Sequence, residues 1–297
     1  MPGVYEQISG NRRKTIFLFF FFIFFIMFLV YFFGLYTGLG AFAIPFALIV
    51  AVGSAYFSYY HSDSLVLSIS QAKPVTKQQL PQLYNIVEEL SIGIGLNSPI
   101  RCYIIDDTAP NAFATGRDPQ HAAIVVTTGL LQKLNRAELE GVIGHEMSHI
   151  KNFDTRIMMY TVVMVGLTAL LSDFLLRITF FGRGNREDKG NLGLILAVAA
   201  IALAILSPII ATLIKLAISR NREFLADSSS ALLTKNPAAL ASALQKISAD
   251  TEPLEAANKA TEHLYIINPL KEHASALNNL FETHPPLKDR IARLNAM

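Results

Sequence analysis

The sequence predicts a mainly helical membrane protein: four transmembrane helices and a soluble α+β domain with a small sheet. Three observations carry that prediction. Apolar residues are gathered into four long runs, at 16–33, 39–60, 157–176 and 192–216. Two polar blocks remain, at about 61–156 and 217–297, and they show helical spacing interrupted by short β-branched stretches. Charged residues make up only 16% of the 297-residue chain and mean hydropathy is +0.39, against about 25% charged residues in an average soluble chain.

Each run is long enough to cross a hydrocarbon core, which takes about 20 residues. The first, IFLFFFFIFFIMFLVYFF, follows the basic cluster Arg12, Arg13 and Lys14. Its length exceeds the h-region of a signal peptide, and no small-residue cleavage site follows, so it reads as an uncleaved anchor. Pro45 and Pro208 fall inside the second and fourth runs, where neighbouring helices can satisfy the freed carbonyls. Basic flanks put both ends and the polar blocks on the cytoplasmic side. The loop 182–190, with Arg183, Arg186 and Lys189, opposes this orientation. The expected divisions are a membrane hairpin at 1–60, a first catalytic block at 61–156, a second hairpin at 157–216 and a second catalytic block at 217–297.

Within the polar blocks, 77–90 has Leu80, Leu83, Val87 and Leu90 at helical spacing, with Pro81 near its start. Short strands are expected at 100–105, 111–116 and 121–128, the last rich in β-branched residues. Asn135 and Glu138 form a capping pair opening a helix to about 152. Further helices are expected at 221–233 and 237–248, the second with Pro237 at its first turn. Net charge of +2 gives no argument for a nucleic-acid partner. The single cysteine, Cys102, excludes an intrachain disulfide and cysteine-rich metal folds.

The helix at 136–152 contains HEMSH, residues 145–149. His145 and His149 share one helical face and can grip one zinc ion. Glu146, rotated by about 100°, reaches a bound water instead of the metal. Composition alone produces roughly 0.007 such motifs in a chain with these residue counts. Gly141 and Gly144 lie inside this helix despite their propensity cost. Gly144 reads either as room for a substrate backbone or as a site of close packing with a membrane span. A catalytic zinc needs a third protein ligand. Asn152 and Thr155 occupy the positions where a glycine and a third histidine would follow in the extended motif, and Asp154 is expected to lie too near the motif to fold back. Beyond the fourth run, Glu223 and Asp227 stand four apart on one helical face. Glu223 is the candidate third ligand, and Asp227 the candidate partner of a ligand histidine's N–H. In isolation the two would read as a solvated acidic pair beside Arg220 and Arg222. His61, His121, His263 and His273 have no partner at ligand spacing and read as surface or loop residues.

HEMSH, the later EFLAD (residues 223–227) and the paired apolar hairpins resemble the HtpX-type membrane zinc metalloproteases, bacterial relatives of the CAAX prenyl endopeptidases. NAFATG at 111–116 resembles that family's edge strand beside the active site, and THPPLKDR at 283–290 its late His-Pro…Arg element. The resemblance covers essentially the whole chain. It implies a zincin-like soluble domain with one zinc ion per chain, in a multi-pass protein of the bacterial inner membrane. The implied role is cytoplasmic quality control, cleaving misfolded or damaged membrane proteins. It further implies that Glu146 acts with His284, contacting the oxyanion, and Arg290, supporting nearby geometry. Asn111, Ala112, Phe113 and Ala114 would bind an extended substrate by strand addition, with broad specificity. Two other readings stay open. An intramembrane protease also uses H-E-x-x-H, but Arg136, Glu138, Glu140, Lys151 and Asp154 surround the motif here and are costly at membrane depth. A scaffold with a structural zinc would need a fourth protein ligand. Prenyl-peptide processing, a third possibility by family relation, usually comes with a larger membrane chamber than four spans make. No feature fixes an oligomeric state.

Overall fold

The computed structural model describes residues 42–96, 98–159, 162, 220–257, 261–269 and 285–297, with scattered positions between 13 and 31. The described architecture is mainly helical with a small mixed sheet. In chain order the elements are α1 (Ala43–Ile69), β1 (Lys73–Pro74), α2 (Pro81–Ile94), β2 (Arg101–Ile105), β3 (Ala112–Thr115), β4 (Ala123–Thr127), α3 (Thr128–Lys133), α4 (Arg136–Lys151), α5 (Arg220–Thr234), α6 (Pro237–Ala249) and α7 (Leu287–Asn295). One compact unit is drawn from His61–Met159 and Ile218–Met297, the other from Thr15–Tyr60 and Tyr160–Ala217.

In the first unit the strand order is β1-β2-β4-β3. β2 and β4 run parallel, with Arg101 opposite Ala123 and Ile105 opposite Thr127. β1 and β3 are antiparallel to their neighbours, and Ala112 stands opposite Val126. β3 is therefore an edge strand. Its main-chain groups alternate. Asn111 O accepts from Thr127 N on the β4 side, whereas Ala112 O accepts from Ile266 N on the outer side. Ala114, two residues on, therefore also turns its main-chain groups outward.

Helix α4 is the centre of this unit. It begins with the expected capping box: Asn135 accepts from the Glu138 main chain and Glu138 from that of Asn135. It packs against α2, β3, α5 and α6, and every residue from Gly141 to Ile150 is buried. Leu139, Val142, Ile143, Met147 and Ile150 join Leu83, Ile86 and Leu90 of α2, Ile124 and Val126 of β4, and Leu240 and Leu244 of α6 in one core. The glycines of α4 serve this packing. A Cβ on Gly141 would come 3.1 Å from the Leu240 backbone, and one on Gly144 would come 2.8 Å from Ser230 Oγ. Gly144 thus makes room for α5, correcting both sequence expectations, which gave it to substrate or to a membrane span. Ser230 Oγ uses the close approach to donate to Gly141 O at 2.7 Å.

Three elements go beyond the sequence reading. β1 has only two residues. α3 is capped by Thr127, whose side chain accepts from Leu130 N. α7 follows Pro285 and Pro286.

Among the described residues, no helix is long and apolar enough to cross a membrane. The expected run 39–60 falls mostly within the Phe42–Tyr60 stretch, whose large side chains face outward: Phe42 is 75% exposed and Ile49 70%. Almost all of 157–176, all of 192–216 and the loop 182–190 lie outside the described residues, and so do seven positions of 16–33.

Candidate metal centre

Helix α4 aims both motif histidines the same way, and their rings meet edge to face at 4.8 Å between centroids. The Nε2 atoms of His145 and His149 are 3.2 Å apart. Glu223, from the first turn of α5, closes a triangle: its carboxylate oxygens lie 3.6 Å from His145 Nε2 and 3.4 Å from His149 Nε2. All three residues are buried, and one ligand atom from each lies within 4.8 Å of the others.

The remaining ring nitrogens fix the tautomers. His145 Nδ1 is 2.9 Å from Asp227 Oδ1, and His149 Nδ1 is 3.0 Å from Asp154 Oδ2. Each Nδ1–H donates to a carboxylate, which leaves each Nε2 as a lone pair. Two lone pairs and a carboxylate facing one another in a buried pocket repel unless a proton or a metal ion lies between them. Ligand atoms about 2.0–2.2 Å from a tetrahedral ion stand about 3.3–3.6 Å apart, which matches the observed triangle. The residues present fit a metal ion of the zinc type. The surrounding field agrees. Burial pulls the His145 pKa down, but the bonds to Asp227 and Glu223 outweigh it and hold it up at about 9. The pocket favours positive charge.

Arg290 closes the site from α7. It is 1% exposed and grips Asp227 with two bonds, Nε to Oδ2 at 2.8 Å and Nη2 to Oδ1 at 2.7 Å. A third bond runs from Nη1 to Ile266 O at 3.0 Å. Burial alone would raise the Asp227 pKa, but the Arg290 guanidinium and His145 hold it down at about 2, so it stays a carboxylate. Asp227 thus takes the place expected of it, against a ligand histidine.

Glu146 is buried beside the triangle. Its pKa is raised, chiefly by burial, against the opposing pull of His145 and His149 and a main-chain hydrogen bond from Ala114. That bond comes from the outward face of β3 and ties the edge strand to the candidate base. Asn111 and Phe113 build this edge from within. Asn111 Nδ2 donates to Ile267 O at 3.0 Å, and fully buried Phe113 packs edge to face on Tyr265 at 4.9 Å. The groups β3 turns outward are those of Ala112 and Ala114.

Asp154 and Arg222 belong to the site although the sequence reading set Asp154 aside as too near the motif. The chain does fold back, because Phe153 adopts a left-handed conformation with φ of 59°. Arg222 Nη1 then donates to Asp154 Oδ1 at 2.9 Å. His263 also departs from expectation. It is buried, with Nε2 3.4 Å from Met158 O. His273 and His284 lie outside the described residues.

Two histidines one helical turn apart, a glutamate between them and a third ligand from a later helix define a metallopeptidase of the H-E-x-x-H type. The chain belongs to peptidase family M48, whose sequence profile matches residues 77–297. It is 47% identical over 293 residues to a protease HtpX homolog of Dictyoglomus thermophilum, covering 99% of this chain and 94% of that protein. Similar relatives, both protease HtpX homologs, occur in Caldanaerobacter subterraneus (43% over 297 residues; 99% and 98% covered) and Ligilactobacillus salivarius (40% over 299 residues; 99% and 100% covered). The protein is a metalloprotease, a hydrolase of peptide bonds.

Proposed function

We propose that the chain is an integral membrane endopeptidase that uses one zinc ion to cleave misfolded or damaged membrane proteins on the cytoplasmic side of the bacterial inner membrane. The observation that carries this reading is the triangle of two Nε2 atoms and the Glu223 carboxylate, with separations of 3.2–3.6 Å. His145, His149 and Glu223 would hold the ion. Bound there, zinc supplies Lewis acidity toward the scissile carbonyl and lowers the pKa of a water toward 7.

The chain's own groups do the rest. Glu146 takes the proton of the attacking water and delivers it to the leaving amine. Its position is fixed by the Ala114 N–H. Asp227, gripped by Arg290, keeps His145 in the tautomer that leaves Nε2 free. Ala112 O is already taken by Ile266 N and the Ala114 N–H by Glu146, so the extended peptide is assigned to the β3 edge on the resemblance of NAFATG, read through main-chain hydrogen bonds. Asn111 and Phe113 serve that reading by holding the strand. His284 is assigned to the oxyanion on the resemblance of its His-Pro element.

The membrane placement rests on the four apolar runs and on the outward aromatic and aliphatic side chains of residues 42–60, a larger apolar surface than a water-facing helix carries. On this reading 1–60 and 157–216 are the membrane hairpins, in contact with lipid, and 61–156 with 217–297 form the protease.

The test uses full-length protein in detergent. Casein cleavage is expected to stop on chelation and return with zinc. Glu146→Gln is expected to bind zinc and leave casein intact. Normal proteolysis by Glu146→Gln refutes the assignment of the base.

A further inference from the structure

Each ligand histidine ends an ordered chain of charges. His145 leads to Asp227 and Arg290. His149 leads to Asp154, 3.0 Å away, and through it to Arg222 at 2.9 Å. All three members of the second chain are buried. One arginine stands against each aspartate, and Arg290 Nη1 also lies 3.8 Å from Glu223 Oε2.

Local geometry explains how Asp154 reaches His149. On an unbroken helix a residue five places on lies about 140° round the axis and would face away. Here α4 stops at Lys151. Asn152 has φ −86° and ψ 2°, and Phe153 is left-handed at φ 59°. That conformation is unfavourable for a residue with a Cβ and persists only where its surroundings enforce it. Helical structure resumes at 154, now redirected, and the Asp154 carboxylate turns back to the ligand ring. Arg156 reinforces the turn, its guanidinium lying 4.9 Å from the Phe153 ring centroid and its Nε donating to Arg117 O at 2.6 Å. Asp154 lies shortly before residue 160 and Arg222 shortly after 217, so their ion pair joins the two ends of the intervening segment at the metal ligand.

We propose that Asp154, fixed by Arg222 and delivered by the left-handed turn at Phe153, is a positioning residue that holds His149 with Nδ1 protonated and Nε2 toward the metal. This rests on the metal reading above. Without Asp154 the ring can rotate or change tautomer, and the ligand is no longer pre-set. Without Arg222 the carboxylate loses its buried counter-charge.

The experiment measures Zn²⁺ affinity of the full-length protein in detergent by competition with a chromogenic chelator. The visible spectrum of the Co²⁺-loaded form serves as a second readout. Asp154→Ala and Arg222→Gln are each expected to weaken zinc binding by about 10–100-fold. The double variant should be no weaker than the worse single one. Asp154→Asn keeps an oxygen for the Nδ1–H and should fall between wild type and Asp154→Ala. The cobalt bands should shift in Asp154→Ala, a change that lost stability alone does not produce. Wild-type affinity in Asp154→Ala, or additive losses in the double variant, overturns the proposal while leaving the metal site standing. Should Asp154→Ala fail to fold, wild-type affinity and spectrum in Arg222→Gln overturn it equally. A wild-type protein that binds no zinc overturns the metal reading and this proposal together.

Discussion

Arg290 holds Asp227 through two parallel hydrogen bonds of 2.7 and 2.8 Å, and both residues are buried against His145. The pair matches a planar guanidinium to a carboxylate, a geometry that lysine cannot reproduce. Arg290→Gln leaves a buried carboxylate uncompensated and is expected to cost about 3–5 kcal/mol of stability. Arg290→Lys should keep part of the stability and lose the fork. Thermal unfolding of the metal-free proteins checks the order wild type, Arg290→Lys, Arg290→Gln.

Metal removal should destabilise the folded chain, because an ion bound only to the native state adds stability in proportion to the logarithm of its concentration over Kd. Chelation is expected to lower Tm, and zinc to restore it. His149→Ala and Glu223→Ala should abolish both the zinc-dependent rise and proteolysis. Elemental analysis of the purified variants, with a zinc content near zero expected, provides the check. A full complement of zinc in Glu223→Ala would remove this residue from the ligand set.

Gly144→Ala places a methyl group 2.8 Å from Ser230 Oγ, which is itself committed to Gly141 O at 2.7 Å. Overpacking of this kind costs about 1–3 kcal/mol, more than the helix-propensity gain of about 1 kcal/mol for replacing glycine. Ser230 Cβ stands farther off, at 3.5 Å. Adding Ser230→Ala should therefore recover stability that Gly144→Ala alone loses. Chemical denaturation of the two single variants and the double variant measures this coupling.

Glu138 links α4 to α6: its carboxylate accepts from Asn135 N at 2.9 Å, Ser242 Oγ at 2.7 Å and Lys246 Nζ at 2.8 Å. Burial raises its pKa, but these donors outweigh burial and hold the folded value below the usual one. A depressed carboxylate pKa contributes stability above the unfolded value of about 4.3. That contribution is lost as pH falls through the folded value. The Tm difference between wild type and Glu138→Gln is therefore expected to be largest at neutral pH and to shrink below about pH 4. Loss of metal in acid affects both proteins alike and cancels in the comparison. A difference that grows on acidification would contradict the assignment.

Local signals carried most of the fold. The Asn135–Glu138 box, the β-branched run of β4 and the leucine spacing of α2 and α6 each report on neighbours a few residues away; α4, β4 and α6 form where expected, whereas α2 starts at Pro81 and runs to Ile94, about one turn later than the expected 77–90. The metal triangle was legible because His145, His149 and Glu223 are of a type and spacing that few other purposes require. Asp154 was not. Its role depends on Phe153 taking a left-handed conformation, and nothing in a phenylalanine announces that. Gly144 was misassigned because a glycine in a helix reports only that something comes close, not what. The burial of His263 depends on the packing of a turn against Met158, a long-range contact without a sequence period. β1 is too short to show any alternation.

The ligands of the metal triangle are separated along the chain: two histidines come from one helix, and the glutamate from another some seventy residues later. At a translation rate of about 5–20 residues per second, a ribosome finishes the H-E-x-x-H helix several seconds before it adds the residue that completes the ion's cage. During that interval the nascent polypeptide has His145, Glu146 and His149 but not Glu223. Hydrolytic power therefore arrives late in biosynthesis, after the stretch between the two ligand-bearing helices has been made.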